Sequence, residues 1–163
     1  MIPEAHLQSA CCDLIADVVR GHGKVLLKVA GASMVPALWP GDVVTVQRCA
    51  PQELISGSII VFRQNQRLVV HRLMHWQEDC AVTRGDLHPC LDLPTPAGDV
   101  IGRVETIERN GRRVSPRLSL RQSAVGFVLR RSQRATWHYM RAVNWIRRFG
   151  LPRTQLSPAN PAK

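Results

Sequence analysis

Residues 24–48 read KVLLKVAGASMVPALWPGDVVTVQR, and this stretch decides the fold. Two short runs rich in branched apolar residues, VLLKVA and DVVTVQR, lie on either side of a segment of small residues and prolines. The tetrad Trp39-Pro40-Gly41-Asp42 is typical of a turn. The pattern therefore predicts a strand, a turn and a second strand.

The same pattern continues to about Val114. Four more β-type runs follow, separated by turn residues such as Asn110-Gly111: SIIVFR, RLVVHRLMHW, CAVTRG and VIGRVETIER. Six short strands with no helical period between them predict an antiparallel or mixed sheet rather than βαβ units. The expected fold class is mainly β.

Helical periodicity flanks this β region on both sides. Apolar residues recur at helical spacing in residues 4–20, and Gly21-His22-Gly23 ends the run. Helical period returns over residues 119–149. The last segment is rich in proline and polar residues, which is typical of disorder. The predicted units are an N-terminal helix over 1–23, a β domain over 24–116, a basic amphipathic helix over 117–150 and a disordered tail over 151–163.

The net charge of +10 is distributed unevenly along the 163 residues. Residues 1–108 hold 9 Lys and Arg against 12 Asp and Glu, whereas residues 109–163 hold 13 Lys and Arg and no acid. A cationic tail on a near-neutral body suggests an anionic partner, and a solvated charged face is the plainer alternative.

The predicted helix over 119–149 has two distinct faces. Its apolar stripe includes Val125, Leu129 and Val143, and five arginines lie opposite: Arg130, Arg131, Arg134, Arg141 and Arg148. Such a helix either packs on the β domain or lies in an anionic membrane interface. A nucleic-acid partner ranks behind both.

Cysteine usage and hydropathy bear on the compartment. Five cysteines without CxxC spacing make a poor disulfide framework and fit a reducing compartment better. The N-terminal stretch has acids where a secretory signal needs basic residues, and no run approaches the ~18–20 apolar residues of a membrane span. The expected location is cytoplasmic or peripheral to a membrane.

The first chemistry-bearing segment is Gly31-Ala32-Ser33-Met34-Val35-Pro36. Small residues around Ser33 let a peptide backbone approach its hydroxyl closely. A serine hydroxyl is a poor nucleophile by itself, so a base must lie within hydrogen-bond reach.

Two later segments supply that base and its acidic partner. In the predicted strand RLVVHRL, Val69, His71 and Leu73 share one face, and a histidine in such a strand is more often an ordinary core or rim residue. Histidine titrates near ~6.5 in model peptides, which suits proton transfer at neutral pH. The segment TRGDLHPCLD then brings two carboxylates, Asp86 and Asp92, and either would hold a histidine in the required tautomer.

Taken in order, SMVPALWPGDVV, VVHR and TRGDLHPCLD resemble the type I signal peptidases and their relatives, the self-cleaving SOS-repressor domains, over about residues 28–104. Most bacterial members have a lysine at the position of His71. The histidine form is typical of the archaeal and endoplasmic-reticulum branch. This resemblance implies a serine endopeptidase that needs no cofactor.

Carried over by motif, Ser33 matches the nucleophile, His71 the general base and Asp92 the acidic partner of the base, while Asp86 helps to shape the site. Gly31 stands where many members have a serine whose hydroxyl supports the oxyanion. Leu87-His88 replaces an asparagine pair. The positions expected to contact a peptide or protein substrate are Gly31, Ala32, Met34, Pro36, Val69 and Val70.

Other interpretations stay open. His71, His75, His88 and Cys90 are potential zinc ligands, but their spacing fits no standard structural site, so no metal is expected. A regulatory, repressor-like peptidase that cuts itself or a partner is one alternative function. A catalytically silent module that binds membrane or nucleic acid is the other.

Overall fold

The computed structural model describes residues 4–116 and residue 141. One helix, α1 (Glu4–His22), precedes a single antiparallel sheet. The strands are β1 (Lys24–Lys28), β2 (Val43–Gln47), β3 (Ile59–Gln64), β4 (Arg67–Gln77), β5 (Cys80–Arg84), β6 (Thr95–Pro96), β7 (Val100–Arg109) and β8 (Arg112–Val114). The predicted mainly β fold class is confirmed.

Strand order in the sheet is β1-β2-β7-β3-β4-β5-β6, and β8 pairs with β7. Every pairing is antiparallel. The long strand β7 lies between β2 and β3, so it joins the N-terminal hairpin to the strands that follow. All six strands predicted from the sequence are present. The two-residue β6 and the three-residue β8 were not predicted.

Two hydrophobic clusters fill the interior. One contains Met34, Leu38, Val44 and Ile107, and the other contains Phe62 with the residues around it. Successive residues of β4 contribute to different clusters: Leu68 and Val70 pack against the first, while Val69 and Leu73 belong to the second. This alternation is what a strand with two buried faces requires, and it matches the predicted faces of RLVVHRL.

Helix α1 packs mainly on β1, β4 and β7. Its inner face buries Cys12 and Val19, which are 3% and 1% exposed. Burial raises the pKa of the Cys12 thiol. An ion pair of 2.7 Å joins Asp13 to Arg63 on β3, but both side chains are about half exposed. Exposed pairs contribute only about 0–1 kcal/mol, so apolar burial is the main attachment of the helix.

All five cysteines have free thiols. Within residues 4–116, no helix is both long and apolar enough to cross a bilayer. The predicted basic helix over 117–150, its anionic-membrane contact over 119–149 and the predicted tail over 151–163 lie outside the described residues, apart from Arg141. They stay predictions.

Candidate active site

Ser33 opens the turn that links β1 to β2, and the residues after it are anchored in the core. Ser33 is half-buried, while Met34 and Leu38 are 2% and 0% exposed and belong to the first hydrophobic cluster. Within this turn, the Leu38 N–H donates to the Met34 carbonyl over 2.9 Å. The five residues after Ser33 are buried in the core. The Ser33 hydroxyl is therefore held in place by packed structure and does not lie on a free loop.

A buried carboxylate closes the far end of the same turn. Asp42 is 3% exposed, and Arg109 donates to both of its oxygens, over 2.9 and 2.7 Å. The Trp39 backbone N–H donates to Asp42 Oδ2 over 2.8 Å, and Arg109 also donates to the Ala37 carbonyl over 3.1 Å. This bidentate pair ties the turn to the end of β7 and so fixes the segment that carries Ser33.

His71 lies in the middle of β4, directly opposite Ile60 on β3. It is 7% exposed, and its ring centroid lies 6.2 Å from that of Phe62, at an interplanar angle of 64°. Phe62 packs against the imidazole. Each of the two ring nitrogens has one hydrogen-bond partner.

Those partners are Ser33 and Asp92. The Ser33 hydroxyl and His71 Nε2 are 3.0 Å apart, and His71 Nδ1 and Asp92 Oδ2 are 2.6 Å apart. Asp92 Oδ2 also accepts a hydrogen bond of 2.7 Å from the Thr83 hydroxyl. The Asp92 N–H donates to the Thr83 carbonyl over 2.9 Å. A nucleophile bonded to a base, which is bonded to an orienting acid, is the arrangement that activates a serine hydroxyl.

The other candidate carboxylate, Asp86, has a different partner. Arg72 donates to both oxygens of Asp86 over 2.8 Å and to the Gly57 carbonyl over 2.7 Å. The Arg72 and Asp86 side chains are only 10% and 5% exposed. Arg72 follows His71 on the strand and therefore points to the opposite face. Asp86 thus braces the loop after β5, and Asp92 is the carboxylate on the imidazole.

That loop contacts both members of the Ser33–His71 pair. The Leu87 N–H donates to the Ser33 carbonyl over 2.8 Å. A Cβ atom on Gly85 would lie 3.0 Å from the Ser33 carbonyl oxygen and 3.1 Å from His71 Nε2. These separations are shorter than ordinary carbon contacts, so only glycine fits here without moving one of the two groups.

Replacing Gly85 with alanine is expected to lower activity several-fold, because the new Cβ would displace its neighbours by a few tenths of an ångström, and a displacement of ~1 Å at a reacting pair costs up to ~10²-fold. The measurement is the reaction rate with a fluorophosphonate, together with the melting temperature. Gly98→Ala is the matched control, since a Cβ at Gly98 meets no heavy atom within 4 Å. Equal rates for wild type and Gly85→Ala would show that the close packing at Gly85 does not matter.

The predicted substrate-contact residues are not all equally accessible. Gly31 is exposed, and Ala32, Val69 and Val70 are half-buried. Met34 and Pro36 are buried beneath the turn. Val69 and Val70 pack against different hydrophobic clusters, so they lie on opposite faces of β4.

Three supporting residues were missed from the sequence: Arg72, Thr83 and Gly85. Each stands within a motif, Arg72 at the end of VVHR and Thr83 and Gly85 in TRGDLHPCLD, but the motifs alone do not show which groups they contact. Arg72 adjoins His71, yet its pairing with Asp86 depends on long-range packing.

Among the described residues, no group of three His, Cys, Asp or Glu side chains is placed to hold a metal ion, so the four zinc candidates do not form one site.

A known protein family matches the part of the chain that carries Ser33 and His71. The family model described as Peptidase S24-like matches residues 2–83, which is half of the chain. The matched region includes Ser33 and His71 and ends before Asp86 and Asp92. Comparison with curated proteins found no match. The fold, the paired serine and histidine, and this match over half of its length show that the chain belongs to the S24-like peptidase family.

Proposed function

We propose that this protein is a serine endopeptidase of the kind that type I signal peptidases represent, cleaving an extended peptide or leader segment. Membership of the S24-like family supports peptidase activity in general. The observation that carries the finer proposal is the continuous chain from the Ser33 hydroxyl through His71 to Asp92, with separations of 3.0 and 2.6 Å.

In the acylation step, Ser33 Oγ attacks the carbonyl carbon of the scissile bond and its proton passes to His71 Nε2. Asp92 holds the Nδ1–H, so the tautomer with a free Nε2 lone pair is selected, and its charge stabilises the imidazolium that forms. His71 Nε2 then donates the proton to the leaving nitrogen as the C–N bond breaks. Water hydrolyses the resulting ester by the same route in reverse and restores Ser33.

The negative oxygen that forms in each step needs donors. Within the described part of the chain, no group accepts a hydrogen bond from the Ser33 N–H. This N–H lies at the start of the turn, and a backbone donor fixed at the nucleophile is a common oxyanion contact. The Ser33 N–H is therefore the first oxyanion donor of the proposed mechanism.

A peptide that adds as an extended strand beside the site meets little side-chain bulk near Ser33. Gly31 is exposed and Ala32 is half-buried. The resemblance to signal peptidases implies small residues before the scissile bond.

The direct test is incubation of the purified chain with a library of peptides randomised around a central position, followed by mass spectrometry of the products. Cleavage by wild type and its absence with Ser33→Ala supports the proposal. Products derived only from the chain itself, at a rate independent of protein concentration, would point to the self-cleaving alternative instead. No cleavage of either kind contradicts the proposal.

Gly31→Ser is expected to raise kcat by about tenfold. A Cβ at Gly31 meets no heavy atom within 4 Å, so the larger side chain fits. Removing a single oxyanion donor costs ~10²–10³-fold in other enzymes, so a new and imperfectly placed donor should recover part of that range. Gly31→Ala occupies the same space without a hydroxyl and serves as the control. Equal kcat values for the two variants would exclude a hydroxyl contribution at this position.

A further inference from the structure

The mechanism leaves one side chain beside the catalytic histidine without a role. His88 is exposed, and its ring centroid lies 5.5 Å from that of His71, at an interplanar angle of 83°. Within the described residues, neither ring nitrogen of His88 has a hydrogen-bond partner. An imidazole that has no hydrogen-bond partner and packs edge-to-face on the base can hydrogen-bond a bound substrate.

The position of His88 also shows which part of a substrate it meets. Three atoms surround the position that a Cβ on Gly85 would occupy. They are the Ser33 carbonyl oxygen at 3.0 Å, His71 Nε2 at 3.1 Å and His88 Nδ1 at 3.1 Å. His71 Nε2 is the atom that returns a proton to the leaving nitrogen. A side chain next to this atom is on the side of the site where the leaving nitrogen, and so the first residue after the scissile bond, would lie.

The turn that carries His88 is fixed at three points. The His88 N–H donates to the Gly85 carbonyl over 2.9 Å, and the Leu87 N–H donates to the Ser33 carbonyl over 2.8 Å. Between them, Asp86 is held by both of its oxygens to Arg72. The backbone beneath His88 is therefore held in place, so little backbone entropy is lost when His88 binds a ligand.

We propose that His88 is a specificity-determining residue that hydrogen-bonds an acceptor side chain, an amide or a carboxylate, on the first residue after the scissile bond. The inference rests on the proposed endopeptidase function. An imidazole carries at least one N–H in either protonation state, so a donor is always present. The two carboxylates that follow β5 have other partners: Asp92 binds His71 and Thr83, and Asp86 binds Arg72.

The experiment uses pairs of peptides that differ only in the first residue after the scissile bond, Asn against its isostere Leu. Wild type should favour Asn by roughly five- to tenfold in kcat/KM, the range that one net hydrogen bond provides. His88→Phe keeps a ring against His71 but has no donor, so the ratio should fall to about 1. His88→Gln restores a donor and should recover part of the preference.

Two controls separate this inference from the proposed function. His75→Phe changes an exposed histidine further along β4 and should leave the ratio unchanged. Labelling of His88→Phe by a fluorophosphonate would show that its Ser33–His71 pair still reacts, because that probe places no peptide residue on the leaving side. An Asn-to-Leu ratio that persists in His88→Phe, or no preference in an active wild type, overturns the role of His88. A wild type that is neither labelled nor able to cleave contradicts the endopeptidase proposal itself.

Discussion

Replacing Ser33 or His71 with alanine is expected to reduce kcat/KM by at least ~10³-fold, because each substitution removes one member of the reacting pair. In the proposed mechanism the Ser33 hydroxyl forms the covalent bond, and His71 is the only base within hydrogen-bond distance of it among the described residues. Members of such a pair act as a unit, so the double variant should lose about as much activity as either single one. Steady-state cleavage of one peptide substrate by all four proteins measures both the loss and its non-additivity.

Both variants should remain folded, so circular dichroism and the melting temperature are the controls. Ser33 is half-buried, and alanine fills its backbone position without strain. The carboxylate of Asp92 keeps its hydrogen bond to Thr83 when His71 is removed. Activity close to that of wild type in a folded Ser33→Ala protein is incompatible with the mechanism.

The second large effect is expected for Asp92→Asn, with a loss in kcat of about 10²–10⁴-fold. An amide at position 92 can donate to Nδ1, and this favours the tautomer in which Nε2 carries the proton and cannot accept one from Ser33. This loss is expected because Asp92 Oδ2 lies 2.6 Å from His71 Nδ1. The measurement is single-turnover acylation, which isolates the step that the wrong tautomer blocks.

Asp86→Asn is the matched comparison, because its effect should appear in stability instead. Its carboxylate and Arg72 are both buried, and removing one partner of a buried pair costs about 3–5 kcal/mol, with an amide at the lower end. A lower melting temperature is therefore expected, with a smaller loss of kcat per folded molecule than for Asp92→Asn. If Asp86→Asn is as stable as wild type and inactive, the acidic partner of His71 has been assigned to the wrong residue.

The sheet could be predicted from the sequence wherever a strand is rich in branched apolar residues. Strands such as β3, with the buried run Ile59 to Phe62, show uninterrupted apolar residues. The missed strands lack this signal. β6 consists of Thr95 and Pro96 alone, and β8 is Arg112-Arg113-Val114, which pairs with β7 while its arginines stay exposed. Their pairing follows from the neighbours that the fold provides, which local composition does not encode.

The residues of the site, like the strands, could be predicted from the sequence only in part. Motif order selected Ser33 and His71 although 38 positions separate them, and the register of β4 then brings the imidazole to the turn. Choosing between Asp86 and Asp92 from the residues alone was impossible, because both follow the same strand. The structure distinguishes them by Arg72, whose side chain leaves the opposite face of β4 and binds Asp86. The need for glycine at position 85 likewise depends on a three-dimensional contact.

The most direct test of the central claim is the site of covalent modification by a fluorophosphonate. The intact wild-type protein should gain the mass of one adduct, and peptide mapping should locate it on Ser33. Ser33→Ala should show no adduct, and His71→Ala should react far more slowly, because the hydroxyl then lacks its base. An adduct on another serine, or none on wild-type protein that is folded, would contradict the assignment of Ser33 and His71 as a catalytic pair.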